Sequence, residues 1–268
     1  MASALPLYAA ANCRAAYQLN WSLAVFWNSP APPEQDWLTE LKAATERDGV
    51  RILESRQKAP DVTQFLLSTT PALAPQEIIR SVKGRLQYLV RHQIPKAFHR
   101  NYSIKSVGSV TREVIDQYVG SQVERHAMAD ERVQRMLAKL QVHCPEVDLS
   151  ISRRSNYGEY LFNLHTVLVN EGRWREVREE AIAKTREMIV GASGKKGHLL
   201  SRAGIVADHI HLMLGCGIGE SPQEVALGYL NNLAFAYGMK PIFQFGFYAG
   251  TFGEYDLGAI RRALRDEA

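Results

Sequence analysis

This chain contains itself twice. Tyr17-Gln-Leu-Asn20-Trp-Ser-Leu-Ala-Val25 reads as a strand, and Tyr160-Leu-Phe-Asn163-Leu-His-Thr-Val-Leu168 reads as the same strand with Tyr and Asn kept in place. A buried-strand pattern at Pro60–Leu67 returns at Ala207–Leu214. Each leads through a loop to the same tripeptide, Pro75-Gln-Glu77 or Pro222-Gln-Glu224, and Pro closely followed by Glu suits the start of a helix. Ser106-Val-Gly108 returns as Thr251-Phe-Gly253, each ahead of an amphipathic stretch. Asn20 and Asn163 lie 143 residues apart, Asp61 and Asp208 147, Gly108 and Gly253 145. Collinear matches with so little drift mark a duplicated unit with small loop insertions.

The two copies span 13–122 and 157–268. Each reads strand, helix, strand pair, helix, strand, helix, an order that suits an α+β domain whose antiparallel sheet is covered by helices. The fold class expected is therefore two tandem ferredoxin-like (RRM-like) domains. A doubly wound parallel fold is the rival, but Gly215-Cys-Gly217-Ile-Gly219 has the wrong spacing for a phosphate-binding loop. Residues 123–156 read as a helical linker, with apolar Val133, Met136, Leu137 and Leu140 ahead of Cys144-Pro145.

Hydrophobic residues make up 46% and charged residues 22% of the 268, which excludes a disordered or collagen-like chain. No run approaches the roughly 20 apolar residues of a membrane span. The apolar start has no Lys or Arg before Arg14, so it reads as a loose arm and not as a signal peptide. Cys13, Cys144 and Cys216 include no C-x-x-C pair. They read as reduced thiols of a cytoplasmic protein.

Three features could carry chemistry. His209-Ile-His211 stands on an expected strand, where side chains two apart share a face. The two imidazoles could hold one metal ion, and the same spacing also suits core packing. Tyr118 and Gln122, four apart on an expected helix, share a face too; a half-buried surface tyrosine is the plain alternative. From Ile78 to Arg112 there are eight basic residues and no Asp or Glu. Arg80, Lys83, Arg85 and Lys105 in this run are candidate DNA contacts, and Tyr88, Phe98 and Tyr102 are placed to stack on bases. The second copy has Leu227, Leu230 and Asn232 where the first has Arg80, Lys83 and Arg85. His165 reads as structural, and His126 has no visible partner.

Asp208-His-Ile-His-Leu-Met-Leu214 resembles the HUH motif of single-tyrosine transposases of the insertion-sequence-200-like family, which includes the REP-associated tyrosine transposases. Pro71-Ala-Leu-Ala-Pro75, Lys83-Gly-Arg85, Asn101–Ser109 and Val114-Ile-Asp-Gln-Tyr118-Val-Gly-Ser-Gln122 run in that family's order. The resemblance implies that His209, His211 and Gln122 hold a divalent metal, Mg or Mn. It implies that Tyr118 attacks single-stranded DNA, at or near a hairpin, and becomes joined to the 5′ phosphate. It also implies a dimer in which one subunit's tyrosine helix completes the other's histidine site.

The departures from the pattern are complementary. The first copy has Val62 and Gln64 where the histidines belong, and the second has Ala263 and Glu267 where Tyr118 and Gln122 belong. If helices are exchanged between copies, one site is complete and the other doubly broken. The expectation is a monomeric pseudo-dimer, open to further dimerisation, acting as a metal-dependent DNA nuclease and strand transferase. Two rivals stand beside it: a decayed DNA- or RNA-binding protein without catalysis, and a metal hydrolase in which Tyr118 is incidental.

Overall fold

The computed structural model describes residues 6–265. In chain order the elements are β1 (Arg14–Gln18), β2 (Asn20–Trp27), α1 (Leu38–Arg47), β3 (Val50–Ala59), β4 (Val62–Thr69), α2 (Pro75–Val90), β5 (Phe98–Val107) and α3 (Arg112–Gly120). There follow α4 (Gln122–Arg125), α5 (Glu131–Lys139), β6 (Val142–His143), β7 (Arg153–Arg154), β8 (Gly158–Leu161) and β9 (Asn163–Val169). The chain ends with α6 (Glu179–Lys196), β10 (Leu199–Ile205), β11 (His209–Gly215), α7 (Pro222–Ala236), β12 (Gly246–Phe252) and α8 (Leu257–Arg265).

The strands form two six-stranded sheets, ordered β3-β4-β2-β5-β8-β7 and β1-β12-β9-β11-β10-β6. In each, four consecutive strands in βαββαβ order make a ferredoxin-like core: β2, β3, β4 and β5 in one, β9, β10, β11 and β12 in the other. The core pairs are all antiparallel, which excludes the doubly wound rival. Residues 123–156 are only partly helical: α5 is followed by β6 on the edge of one sheet and β7 on the edge of the other.

The strand expected over Tyr17–Val25 is two strands. β1 leaves to pair in parallel with β12 of the second sheet, and after Leu19 the chain enters β2 of the first. The counterpart does the reverse: β8 pairs with β5 of the first sheet, and after Phe162 the chain enters β9 of the second. Each sheet therefore borrows a strand from the other copy, added beside the last strand of its own core.

The repeated residues sit where this exchange happens, and their contacts are reciprocal. Thr251 Oγ1 accepts from Asn20 N at 2.8 Å and donates to Val107 O at 2.7 Å. Its counterpart Ser106 Oγ accepts from Asn163 N at 3.0 Å and donates to Phe252 O at 2.7 Å. Gln76 N donates to Ile218 O and Gln223 N to Pro71 O, so the repeated Pro-Gln-Glu tripeptide also marks a crossing point. Contacts of the form i with j and j with i are those of an internal two-fold. Gly108 and Gly253 stand at its centre, each hydrogen-bonded through its carbonyl to the start of the other copy's last helix, Leu257 and Arg112. A Cβ at Gly253 would lie 2.4 Å from Ser106 O, and one at Gly108 2.5 Å from Val110 O, so only glycine fits.

The main core is continuous across both copies: Trp21 of β2 packs edge-on against Phe162, ring centroids 5.1 Å apart. The arm expected to be loose is docked from Tyr8 onward. Tyr8 is buried, donates to Phe243 O and receives from Phe243 N, and its backbone bonds Asn231. Residues 1–5 of that arm lie outside the described residues.

Candidate active site

Strand alternation gives the second sheet two different faces. Ile210, Leu212 and Leu214 of β11 point into the main core with Ile182 and Ile189 of α6 and Val225 and Leu233 of α7. His209, His211 and Met213 point the other way, where Met213 and Phe252 pack against Ile115 and Val119 of α3. The tyrosine helix of the first copy thus lies on the histidine sheet of the second. An Arg202–Asp116 ion pair at 2.8 and 3.0 Å fastens it there, as does Arg112–Glu254 at 2.7 Å. A Cβ at Gly204 of β10 would meet Val119 Cγ1 and O at 3.1 Å, so the missing side chain there admits the helix.

The structure brings Tyr118, Gln122, His209 and His211 together. The Tyr118 ring stands edge-on to His211, centroids 5.4 Å apart, and is 37% exposed. The helix breaks at Ser121, so Tyr118 lies in the last turn of α3 and Gln122 opens α4. The four-residue spacing survives, since Gln122 Nε2 donates to Tyr118 O at 2.8 Å. That bond fixes the amide and leaves Oε1 as its free atom. Gln122 is fully buried, and Oε1 has no hydrogen-bond partner; His211 Nε2 is also buried and unpartnered. Buried polar atoms without partners cost free energy, which a bound ion or water would offset.

The histidine tautomers follow from their neighbours. His209 Nδ1 bonds Asp208 Oδ1 at 2.7 Å, which places its proton on Nδ1 and leaves Nε2 as the donor atom. His211 Nδ1 lies 2.9 Å from His165 Nε2, so one ring donates to the other; with the proton on His211 Nδ1, its Nε2 is a free lone pair. Burial drives His211 down to about 2 and His165 to about 4, so both rings are neutral near pH 7. Burial also lowers His209, partly opposed by Asp208. Burial would raise Asp208, but His209 and Arg173 more than offset it and keep it an anion. Among the described residues no group of three or more His, Cys, Asp or Glu side chains is arranged to hold a metal. The side chains here that could hold a divalent ion are two imidazoles and an amide oxygen.

Sequence reasoning missed two neighbours. His165, read as structural, contacts His211 directly. His126, just past α4, has its ring centroid 4.8 Å from that of His209. Tyr118, Gln122 and His126 are spaced by four residues, a helical signal that could have linked His126 to the pair.

Two of the four expected DNA contacts already have partners within the first copy. Lys83 Nζ donates to the carbonyls of His99, at 2.6 Å, and Asn101, at 3.0 Å, and burial lowers it to about 8. Arg85 forms a two-pronged ion pair with Asp48 at 3.0 and 2.8 Å. Both hold the fold of the first copy. Arg80 and Lys105 are exposed.

The site's counterpart in the first copy has lost its chemistry. Gln64 Nε2 donates to Ser22 Oγ at 2.7 Å, where the second copy has the His211–His165 contact. Ala263 is exposed on α8, and Glu267 lies outside the described residues.

Residues 34–122 match the model of the family described as "Transposase IS200 like". The match makes this stretch, about a third of the chain, similar to that family. The match includes Tyr118 and Gln122 and stops before the histidines. Among solved structures the chain is similar to a candidate transposase from Deinococcus radiodurans R1: 21% identity over 40% of this chain and 92% of that chain, with a TM-score of 0.31. No curated protein matches the chain. Among the described residues no helix is long and apolar enough to cross a membrane.

Proposed function

We propose that this chain is a fused pseudo-dimer with one composite active site that cuts and rejoins single-stranded DNA through Tyr118. The observation that carries the reading is the pair of buried, unpartnered atoms, Gln122 Oε1 and His211 Nε2, beside the Tyr118 ring. They come from different copies, and neither copy supplies both.

Tyr118 Oη is the nucleophile. It forms a bond to phosphorus as the bond from phosphorus to the 3′ oxygen breaks. Tyr118 gives up its hydroxyl proton and the leaving 3′ oxygen takes one up, so the products are a 5′-phosphotyrosine and a free 3′ hydroxyl. The phosphodiester bond energy is retained, so the same step runs backwards as joining. His209, His211 and Gln122 would hold the divalent ion, which when bound supplies positive charge at the scissile phosphate. Asp208 and His165 fix the two imidazoles, so their free nitrogens stay aimed without reorganisation. Arg125, whose guanidinium lies 5.3 Å from the Tyr118 ring centroid, adds positive charge where phosphate must approach. Arg80 and Lys105 hold the strand further away.

Incubation with labelled single-stranded hairpin DNA and Mn²⁺, followed by a denaturing gel and peptide mapping, tests this. The expected result is a labelled adduct on the peptide carrying Tyr118, absent in Tyr118→Phe and with chelator. Binding on a native gel with no adduct or cut in wild type would instead favour a binding protein. Cutting that survives Tyr118→Phe would favour a metal hydrolase.

A further inference from the structure

The two exchanged helices are fastened to their sheets by ion pairs of opposite polarity. On the second sheet Arg202 of β10 meets Asp116 of α3. The internal two-fold places Glu54 of β3 where Arg202 stands: Glu54 pairs across its sheet with Leu66 of β4, and Arg202 with Met213 of β11. There the partners are basic. Arg265 of α8 reaches Glu54 at 2.5 Å and Arg261 lies at 3.9 Å, and Arg261 occupies the position of Asp116. One copy therefore has a basic sheet position under an acidic helix, and the other an acidic sheet position under a basic helix.

Both helices start side by side, since Gly108 bridges to Asp256 and Thr111 to Gly253. Were α3 to lie on the sheet of its own copy, Asp116 would face Glu54. Were α8 to do the same, Arg261 and Arg265 would face Arg202. Like charges would meet in both places, whereas the exchanged arrangement pairs all of them. Size discriminates in the same direction. Gly204 leaves room for Val119 and Gln122, but its counterpart on the first sheet is Arg56, since Arg56 pairs with Gln64 as Gly204 pairs with His211. Arg56 donates to the Leu264 carbonyl of α8 at 2.8 Å.

We infer that Asp116 and Arg202 are positioning residues: the reversed polarity of the two ion pairs commits the tyrosine helix to the histidine-bearing sheet. A lone ion pair would only strengthen whichever docking occurs, while opposed polarities select between two. This inference rests on the composite-site reading for its catalytic consequence but not for its structural one.

Adduct formation and helix position are therefore measured on the same full-length variants. Position is read as the distance between spin labels at Gln117 of α3 and Glu187 of α6, both exposed. Asp116→Ala removes the attraction, and about a tenfold loss of adduct rate is expected with the label distance unchanged. Asp116→Arg adds repulsion from Arg202 and attraction to Glu54. It is expected to cost about a hundredfold and to lengthen or broaden the distance. Adding Arg202→Asp to Asp116→Arg should restore both readouts. Equal effects of Asp116→Ala and Asp116→Arg, or an unmoved distance in folded Asp116→Arg protein, would overturn the inference. If wild type makes no adduct, the composite-site reading fails, and the distances still decide whether polarity sets the docking.

Discussion

His165 shows how much of this site lies one residue behind the metal-binding atoms. Its Nε2 lies 2.9 Å from His211 Nδ1, and it accepts from that imidazole whenever His211 Nε2 is the lone pair offered to a metal. Replacing it by Phe keeps the volume and removes the acceptor. His165→Phe is expected to weaken Mn²⁺ binding by about 10–100-fold, as loss of outer-shell partners does, measured by titration calorimetry. The fold should persist with an unchanged circular dichroism spectrum. The His209-x-His211 pair was legible in the sequence because strand geometry alone puts i and i+2 on one face. His165 was not, because it reaches His211 through the register between β9 and β11. His126 was not either, because only the docking of α4 brings it to His209. The basic residues were legible as a run but not as individuals. Lys83 and Arg85 find carbonyl and carboxylate partners within their own copy, and a sequence does not show which cations are already paired.

Helix α3 depends on a bare patch of strand. Gly204 has no side chain, and Val119 and Gln122 occupy the space it leaves. Gly204→Ala puts a methyl within about 3.1 Å of both Val119 Cγ1 and its carbonyl, so the helix must shift by a few tenths of an ångström at Val119. The expected outcome is a loss of adduct rate of at least about tenfold with a small change in melting temperature, since overpacking of one contact costs about 1–3 kcal/mol. The elements themselves were largely legible: alternation gave the strands, and the Pro-x-Glu starts gave the second helix of each copy. The handover of the chain from β1 to β2, and from β8 to β9, was hidden. One residue, Leu19 or Phe162, separates the strands, both residues are buried, and the apolar run reads straight through. The Asn that follows each was visible as a repeat, but its meaning as the first residue on the new sheet was not.

At the scale of the molecule, the residues that repeat are interface residues, and the residues that diverge are those of the proposed site. Ser106 and Thr251 each satisfy a backbone N–H and C=O at the crossing of the copies. Thr251→Val keeps the shape and leaves Asn20 N and Val107 O buried without this partner. A loss of about 1–3 kcal/mol is expected in urea unfolding, and a similar loss for Ser106→Ala, because the two sites are equivalent. The duplication thus preserved what holds the copies together while each copy lost a different half of the site. Tyr118 and Gln122 survive in one copy, and His209 and His211 in the other. If one chain completes its own site, two chains with different lesions cannot repair each other. The most direct measurement mixes full-length Tyr118→Phe with full-length His209→Ala and assays for the covalent DNA adduct beside wild type. Adduct with wild type alone, and none with either variant or their mixture, is the result expected of a site assembled within a single chain. Recovery of adduct in the mixture would mean that the tyrosine helix of one chain serves the histidines of another, and would contradict it.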